Sequence, residues 1–420
     1  MDVPSQRPAE RSIVAPAFAA IALFVVSWAL LHVGFYTHDQ ILDTPGYQRY
    51  GNAIVDGEIP YRDFDVEYPP GALPMFALPG LAEPGQDQDV SPGFRRAFET
   101  LMWLCGAAAL AAMAIALGAL RRRAAAVWGA LAFAALAPLA LGSVILSRFD
   151  LWPAALATAA VAALVAGRLR LGHVVLGLAA AAKLYPAVLI PLGLVFAWKR
   201  AGRREALVCL GLAVAVAVAI FLPFVVLSPG GVWHSLSVQL ERPLQVESFG
   251  AALLLAAHHA FGLGVTGETS HGSQNLAGTG ADAIAIGCTV LQIAVLLWIW
   301  VAFARSGGGR EALVRSSAAA VCAFVALGKV LSPQFLIWLI PLVPLVRGRR
   351  GLWASALLGS ALVLTQIWFP FRYFRLALDF ESGLSWLLLT RDLLLVALVV
   401  ILVLPFRDQR GDAPELVADA

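Results

Sequence analysis

The sequence predicts an all-α membrane protein with many spanning helices, and three observations lead to this fold class. Of the 420 residues, 60% are hydrophobic and only 14% are charged. The mean hydropathy of +0.79 lies far outside the range of soluble globular proteins. The apolar residues fall into long runs, and the basic residues gather in the connections on one side of those runs.

Eight apolar runs are close to the length of about 20 residues that a spanning helix needs. They cover about 13–35, 97–120, 124–146, 151–167, 205–227, 281–304, 351–368 and 386–404. The first run follows a charged lead and is too long for the core of a signal peptide, so we expect a retained helix.

Two further apolar segments, 171–198 and 316–346, have basic clusters at both ends and must therefore enter the membrane and return. Each carries a lysine shortly before a proline at its middle, which places the turns at 183–186 and 329–333. Arms of about 12 residues rise roughly 18 Å, well short of a core about 30 Å thick. We therefore expect two helical hairpins whose turns line protein or a wet cavity. The alternative is a lysine that snorkels from a kinked helix.

Basic residues predict the orientation of the chain. With a cytoplasmic N-terminus, 19 of the 30 Lys and Arg residues lie inside, and 19 of the 27 acidic residues lie outside or at the outer edge. The three extracytoplasmic loops are then 36–96, 228–280 and 369–385. The sequence thus predicts a single membrane domain over 1–404 in the cell membrane, and a cytoplasmic tail over 405–420.

Composition also argues against other kinds of site. The small net charge of +3 and the scattered basic clusters provide no extended basic face for nucleic acid. We expect neither a metal nor a cofactor, because no cysteine pair has metal-site or redox spacing. The four cysteines all lie in apolar runs: Cys105, Cys209, Cys288 and Cys322.

The first loop contains the candidate catalytic acids. Asp39 and Asp43 follow the first run by a few residues, at the outer boundary where lipid headgroups lie. A carboxylate there could take a proton from an acceptor hydroxyl as general base. A helix cap or a plain interfacial charge is the alternative for both. The other acids that we interpret as solvated loop charges are Asp56, Glu58, Asp87 and Asp89.

Several cations stand alone in apolar sequence on the same side, where an unpaired charge is costly. Nearby acids or an anionic lipid group are the natural partners, and a lipid phosphate suits both arginine and lysine. The candidates for binding such a phosphate and meeting its developing charge are Lys183, Lys329, Arg148 and Arg242.

Five short motifs, in order along the chain, resemble glycosyltransferase family 87. The most specific is GEIPYRDFDVEYPPGALP in the first loop. The others are SRFDLWPAALA at 147–157, AAAKLYPAVLIPL at 180–192, LERPLQVES at 240–248 and GKVLSPQFLIWLIPL at 328–342.

The resemblance implies a C-type glycosyltransferase bundle, here of about 12 hydrophobic helices. It also implies inverting transfer of mannose or a related sugar from a polyprenyl-phosphate donor to a glycolipid or cell-envelope glycan. By position after the first run, Asp43 matches the family's base best and Asp39 is second. The remaining motif residues would structure the loop or bind the acceptor: Tyr61, Arg62, Asp63, Glu67 and Tyr68.

A transporter or flippase of lipid-linked sugars is the alternative function, since hairpins and buried charges also mark translocation pathways. A transporter needs polar residues near the midplane of the membrane. Here the polarity gathers on one side, which favours an enzyme. An assembly protein is a third possibility, but it would not explain charged hairpin turns.

Overall fold

A computed structural model describes residues 13–82 and 90–404. In these residues the chain forms fifteen α-helices and one small sheet, and the predicted all-α polytopic membrane protein is confirmed. The helices are α1 (Val14–Leu30), α2 (Thr44–Val55), α3 (Pro74–Gly80), α4 (Pro92–Ala119), α5 (Ala124–Leu141), α6 (Leu151–Val165), α7 (Leu169–Ala182), α8 (Ile190–Leu227), α9 (Pro229–Glu241), α10 (Phe249–Phe261), α11 (Thr279–Arg305), α12 (Arg310–Leu327), α13 (Gly348–Trp368), α14 (Tyr373–Ala377) and α15 (Ser382–Val403).

Six of the eight predicted spans appear as helices that are long and apolar enough to cross a membrane. They are α4, α5, α8, α11, α13 and α15. The other two, α1 and α6, have 17 and 15 residues, so α1 is at the lower limit of spanning length and α6 is below it. Nearly every residue of α6 is buried, so this helix lies inside the bundle.

The first predicted hairpin is confirmed. Helix α7 rises to Lys183, and the chain returns through a short 3-10 helix, Tyr185–Leu189, into α8. Helix α8 breaks at Gly202, whose φ of 82° is left-handed and favours glycine. Below the break, Arg170 Nε lies 2.7 Å from Glu205 Oε1, so the chain has come back to the level at which α7 began.

The second hairpin also returns, but its second arm is not an α-helix. Helix α12 is followed by an irregular turn and then by two 3-10 helices, Pro333–Trp338 and Val343–Leu345. Prolines 333, 341 and 344 explain the difference, because each lacks an N–H and obstructs the helical turn before it. Arg122 Nη2 donates to Glu311 Oε2 at 2.7 Å and to the Leu345 carbonyl at 2.8 Å, so both ends of the hairpin meet.

The polar connections gather at one end of the bundle, called here the polar end: residues 31–73, the hairpin turns and 228–278. The proline-rich first loop forms the short helix α2 that its sequence favours, followed by α3. A sheet that the sequence did not indicate forms in the loop before α11. Its strands β1 (Leu244–Gln245), β2 (Thr266–Ser270) and β3 (Ser273–Ala277) pair antiparallel in the order β1–β3–β2.

Candidate active site

Asp43 lies at the start of α2, at the polar end of the bundle. Its carboxylate forms an ion pair with the guanidinium of Arg148 and accepts a long hydrogen bond of 3.4 Å from the Tyr47 hydroxyl. The side chain of Asp43 is 35% exposed, whereas that of Arg148 is 5% exposed. One face of the carboxylate is therefore fixed by a buried cation, and the other is open to an incoming molecule.

The ring of Tyr47 anchors α2 to the rest of the site. It stacks on Phe76 of α3 with centroids 4.6 Å apart and meets Phe149 edge-on at 5.8 Å. Phe149 lies between Arg148 and the start of α6. Aromatic packing thus sets the position of Asp43 relative to the turn that carries Arg148.

Asp150 is the main residue that sequence reasoning missed. Its carboxylate is almost fully buried, and its Oδ1 accepts hydrogen bonds of 2.6 Å from both Lys183 Nζ and Trp338 Nε1. It thereby joins the start of α6 to the turn of the first hairpin and to the return arm of the second. The sequence did contain a signal, since an acid in the turn SRFD could neutralise a lysine embedded in apolar sequence.

Lys183 is enclosed by this arrangement. Its side chain is 16% exposed, and its ammonium lies 4.6 Å from the ring centroid of Phe149, 5.6 Å from that of Phe335 and 5.1 Å from that of Trp338. The attraction of the ammonium to these rings and to Asp150 together offsets much of the hydration free energy that the charge loses on burial.

Lys329 and Arg242 form a second group of cations, and neither makes an ion pair with any residue in the described ranges. Lys329 Nζ donates to the carbonyl of Leu240 at 2.8 Å. Partial burial lowers the pKa of Lys329, and the nearby charge of Arg242 lowers it further. The buried Nε of Arg242 has no hydrogen-bond partner among the described residues. Arg242 acts electrostatically on Glu67 and Glu247 without a close ion pair to either in the described residues. An anion close to both cations would reduce their mutual repulsion.

Glu67 lies within electrostatic reach of both charged groups. Burial of part of its side chain raises the pKa of Glu67, Arg242 opposes this shift, and Asp43 adds to it. Its neighbour Tyr68 packs edge-on against Phe149, with ring centroids 4.8 Å apart. The end of the first-loop motif therefore faces the same site as Asp43.

The side chains at the beginning of the motif make their hydrogen bonds within their own loop, and the Tyr61 ring packs edge-on against Phe224 of α8. The Tyr61 hydroxyl donates to the Tyr68 carbonyl at 2.5 Å. Arg62 donates two hydrogen bonds of 2.9 Å to Asp63, which holds the pKa of Asp63 below its usual range. Both of these charged side chains reach solvent, and Asp63 also accepts from the Ile59 amide at 2.8 Å.

The other acids of the first loop are not brought into the site. Asp39 is exposed, has a left-handed φ of 47° and makes no ion pair within the described part of the chain. Asp56 and Glu58 are exposed, as expected of loop charges. Asp87 and Asp89 lie outside the described residues, as does the tail 405–420.

Fold and site together define a polytopic membrane protein with a charged site at one end of its bundle. The family model of glycosyltransferase family 87 matches residues 67–333, more than half of the chain, so the chain belongs to that family and is a glycosyltransferase. No curated protein matches the chain. The matched range contains Asp150 and the four candidate cations but begins after Asp43. Nothing in these comparisons supports the alternative of a transporter.

Proposed function

We propose that this glycosyltransferase moves a hexose, in the first place mannose, from a polyprenyl-phosphate sugar to a lipid-linked or cell-envelope glycan, with inversion. One observation carries the proposal: the partly exposed carboxylate of Asp43 lies at the same end of the bundle as Arg242 and Lys329, two cations that make no close ion pair among the described residues. A base beside an anion site is what transfer from a lipid phosphate to a hydroxyl requires.

Asp43 acts in this proposal as the general base. It takes the proton of the acceptor hydroxyl while the hydroxyl oxygen attacks the anomeric carbon from the face opposite the phosphate. The bond from the anomeric carbon to the phosphate oxygen breaks in the same step, so the configuration inverts. Arg148 holds the carboxylate in place from the buried side. Asp39 remains the second candidate, although it is exposed and lacks such a partner.

The leaving phosphate would be met by Arg242 and Lys329. Their positive charges are not balanced by an ion pair within the described residues, so they are available to an anion. Arg148 and Lys183, the other two candidates, are already paired with Asp43 and Asp150. They would add to the positive field around the phosphate without being its direct ligands. The proposal needs neither a metal nor a cofactor.

The acceptor would enter over the first-loop motif. Glu67 and Tyr68 lie beside Asp43 and could accept and donate hydrogen bonds to sugar hydroxyls. Tyr61, Arg62 and Asp63 would instead keep the loop in shape, since their side-chain hydrogen bonds are made within it. The Tyr61 carbonyl also accepts from the Ser228 hydroxyl at 2.8 Å.

The base is tested by Asp43→Asn, which keeps the shape of the side chain and removes its basicity. We expect transfer from a polyprenyl-phosphate mannose to fall by a factor on the order of 10² to 10⁴, as for loss of a general base. Binding of the donor should survive. Asp39→Asn is the matched control, four residues away and exposed, and should transfer normally.

The measurement is the initial rate of sugar transfer by purified protein, across a panel of polyprenyl-phosphate sugars. If Asp39→Asn loses transfer while Asp43→Asn keeps it, the general base is Asp39 and not Asp43. Normal transfer by both variants, and by variants of Glu67 and Asp63, would remove the first loop from catalysis.

We further propose that the polar end faces away from the cytoplasm and that both termini are cytoplasmic. Reporter fusions at Gly202 and Gly348 should then indicate the cytoplasm, and fusions at Gly57 and Gly272 the opposite side. The expectation follows from the excess of Lys and Arg in the short loops of the other end. Fusions at Gly202 and Gly57 on the same side would contradict it.

A further inference from the structure

Two charged residues lie side by side inside the apolar helix α15, away from the proposed base. Arg391 and Asp392 are both almost fully buried, with Arg391 Nε 2.8 Å from Asp392 Oδ1. The guanidinium also lies over the ring of Trp368, 5.6 Å from its centroid. A buried ion pair is often no more stabilising than well-packed apolar residues, so packing alone does not explain it.

Arg391 reaches out of α15 to the main chain of a distant segment. Its Nη2 donates at 2.9 Å to the carbonyl oxygen of Glu247, which lies between β1 and α10. Glu247 is itself buried. Burial raises the pKa of its carboxyl group to about 7, and the neighbouring Arg391 opposes the shift. Arg391 thus ties the segment after β1 to the centre of a membrane helix.

Gln245 connects that segment to the turn of the second hairpin. Its main-chain amide donates to the carbonyl of Lys329 at 3.0 Å. Its side-chain amide donates to the Ser332 hydroxyl at 2.8 Å and to the Glu247 carboxylate. Gln245 therefore contacts the turn 329–332 at both of its ends, while Arg391 binds the main chain just after β1.

We propose that Gln245 is a positioning residue for the reaction, anchored by Arg391, and that it fixes the direction in which Lys329 presents its charge to the donor phosphate. This rests on the proposed function, in which Lys329 and Arg242 bind that phosphate. The turn needs such support because it contains no helical hydrogen bonds of its own between α12 and Pro333. Without it, the main chain of the turn would become less ordered, the Lys329 side chain that it carries would move with it, and each bound anion would have to order the turn again.

The test compares the binding of undecaprenyl phosphate and of undecaprenol, which lacks the phosphate, to the full-length protein in detergent. Gln245→Met keeps the volume of the side chain and removes its hydrogen bonds to Ser332 and Glu247, while the main-chain bond to Lys329 remains. We expect this variant to bind undecaprenyl phosphate about tenfold more weakly, the effect of about 1.4 kcal/mol, and undecaprenol unchanged. A defect in folding alone would weaken the binding of both lipids to the same extent.

Coupling to Lys329 is measured with the double variant. If Gln245 acts through Lys329, adding Gln245→Met to Lys329→Ala should cause little further loss of phosphate binding. Arg375→Ala, at an exposed ion pair with Glu381 on the same end, is the control for removing a cation elsewhere. Arg391→Met should weaken the binding of undecaprenyl phosphate as Gln245→Met does. If Arg391→Met fails to fold, Gln245→Met alone tests the inference.

The outcomes separate the two proposals. A Gln245→Met variant with unchanged phosphate binding, or one whose loss adds fully to that of Lys329→Ala, would overturn the positioning role alone. A Lys329→Ala variant that binds undecaprenyl phosphate as the wild type does would overturn the phosphate site, and the positioning role with it.

Discussion

The two hairpin turns begin from similar sequence and end in different surroundings. Each has a lysine shortly before a proline in the middle of an apolar segment, and both lysines are candidates for the donor phosphate. Lys183 is buried against Asp150 and enclosed by three aromatic rings. Lys329 remains partly exposed and donates to a main-chain carbonyl.

The difference shows that the partner of a cation, more than its position in a motif, decides what the cation can do. A lysine whose charge is balanced by a buried carboxylate stabilises the packing around it, and an anion would have to compete with that carboxylate. A lysine within electrostatic reach of another cation, as Lys329 is of Arg242, gains from an added anion. In our proposal, the first turn therefore has a structural role and the second binds the donor phosphate.

The largest expected effect is on stability at the first turn. Lys183→Met leaves the buried Asp150 without its counter-charge, and breaking a buried pair in this way costs about 3–5 kcal/mol. The melting temperature of the detergent-solubilised protein should fall sharply, and Asp150→Asn in the same chain should restore part of it. Lys329→Met is the matched control and should melt close to the wild type. Equal melting temperatures for Lys183→Met and Lys329→Met would contradict the difference between the two turns.

A smaller effect, on donor use, is expected at the second turn. Lys329→Ala should raise the KM for a polyprenyl-phosphate sugar about 10- to 100-fold, because one hydrogen bond to a charged group contributes about 1.5–3 kcal/mol. Lys329→Arg should restore only part of the affinity, since a planar fork replaces a point charge. Initial rates at varied donor concentration measure both variants. An unchanged KM in Lys329→Ala would contradict phosphate binding by Lys329 and favour the alternative of a snorkelling lysine.

The smallest effect is expected at a third cation, Arg62, which has a carboxylate partner but lies in solvent. Its pair with Asp63 is exposed on both sides, where water and salt screen the charges. Arg62→Ala should leave the melting temperature unchanged within error at physiological salt. A clear fall in the melting temperature would mean that the two hydrogen bonds between Arg62 and Asp63 stabilise the protein despite their exposure to solvent.

Much of the architecture could be predicted because hydrophobicity and basic residues act locally. The long spans, both hairpins and the positions of their turns follow from apolar runs and their flanking charges. The return arm of the second hairpin differed because three prolines prevent a continuous α-helix there.

The sequence by itself determined that this is a helical membrane protein of a glycosyltransferase family, and it predicted that most basic residues lie at one end and most acidic residues and the long loops at the other. The tertiary structure alone decided which charges meet. Asp150 finds Lys183 33 residues away and Trp338 188 residues away, and no local pattern encodes those distances. The reason is physical: a buried charge must find a partner wherever packing brings one within about 3 Å, and packing depends on the whole bundle.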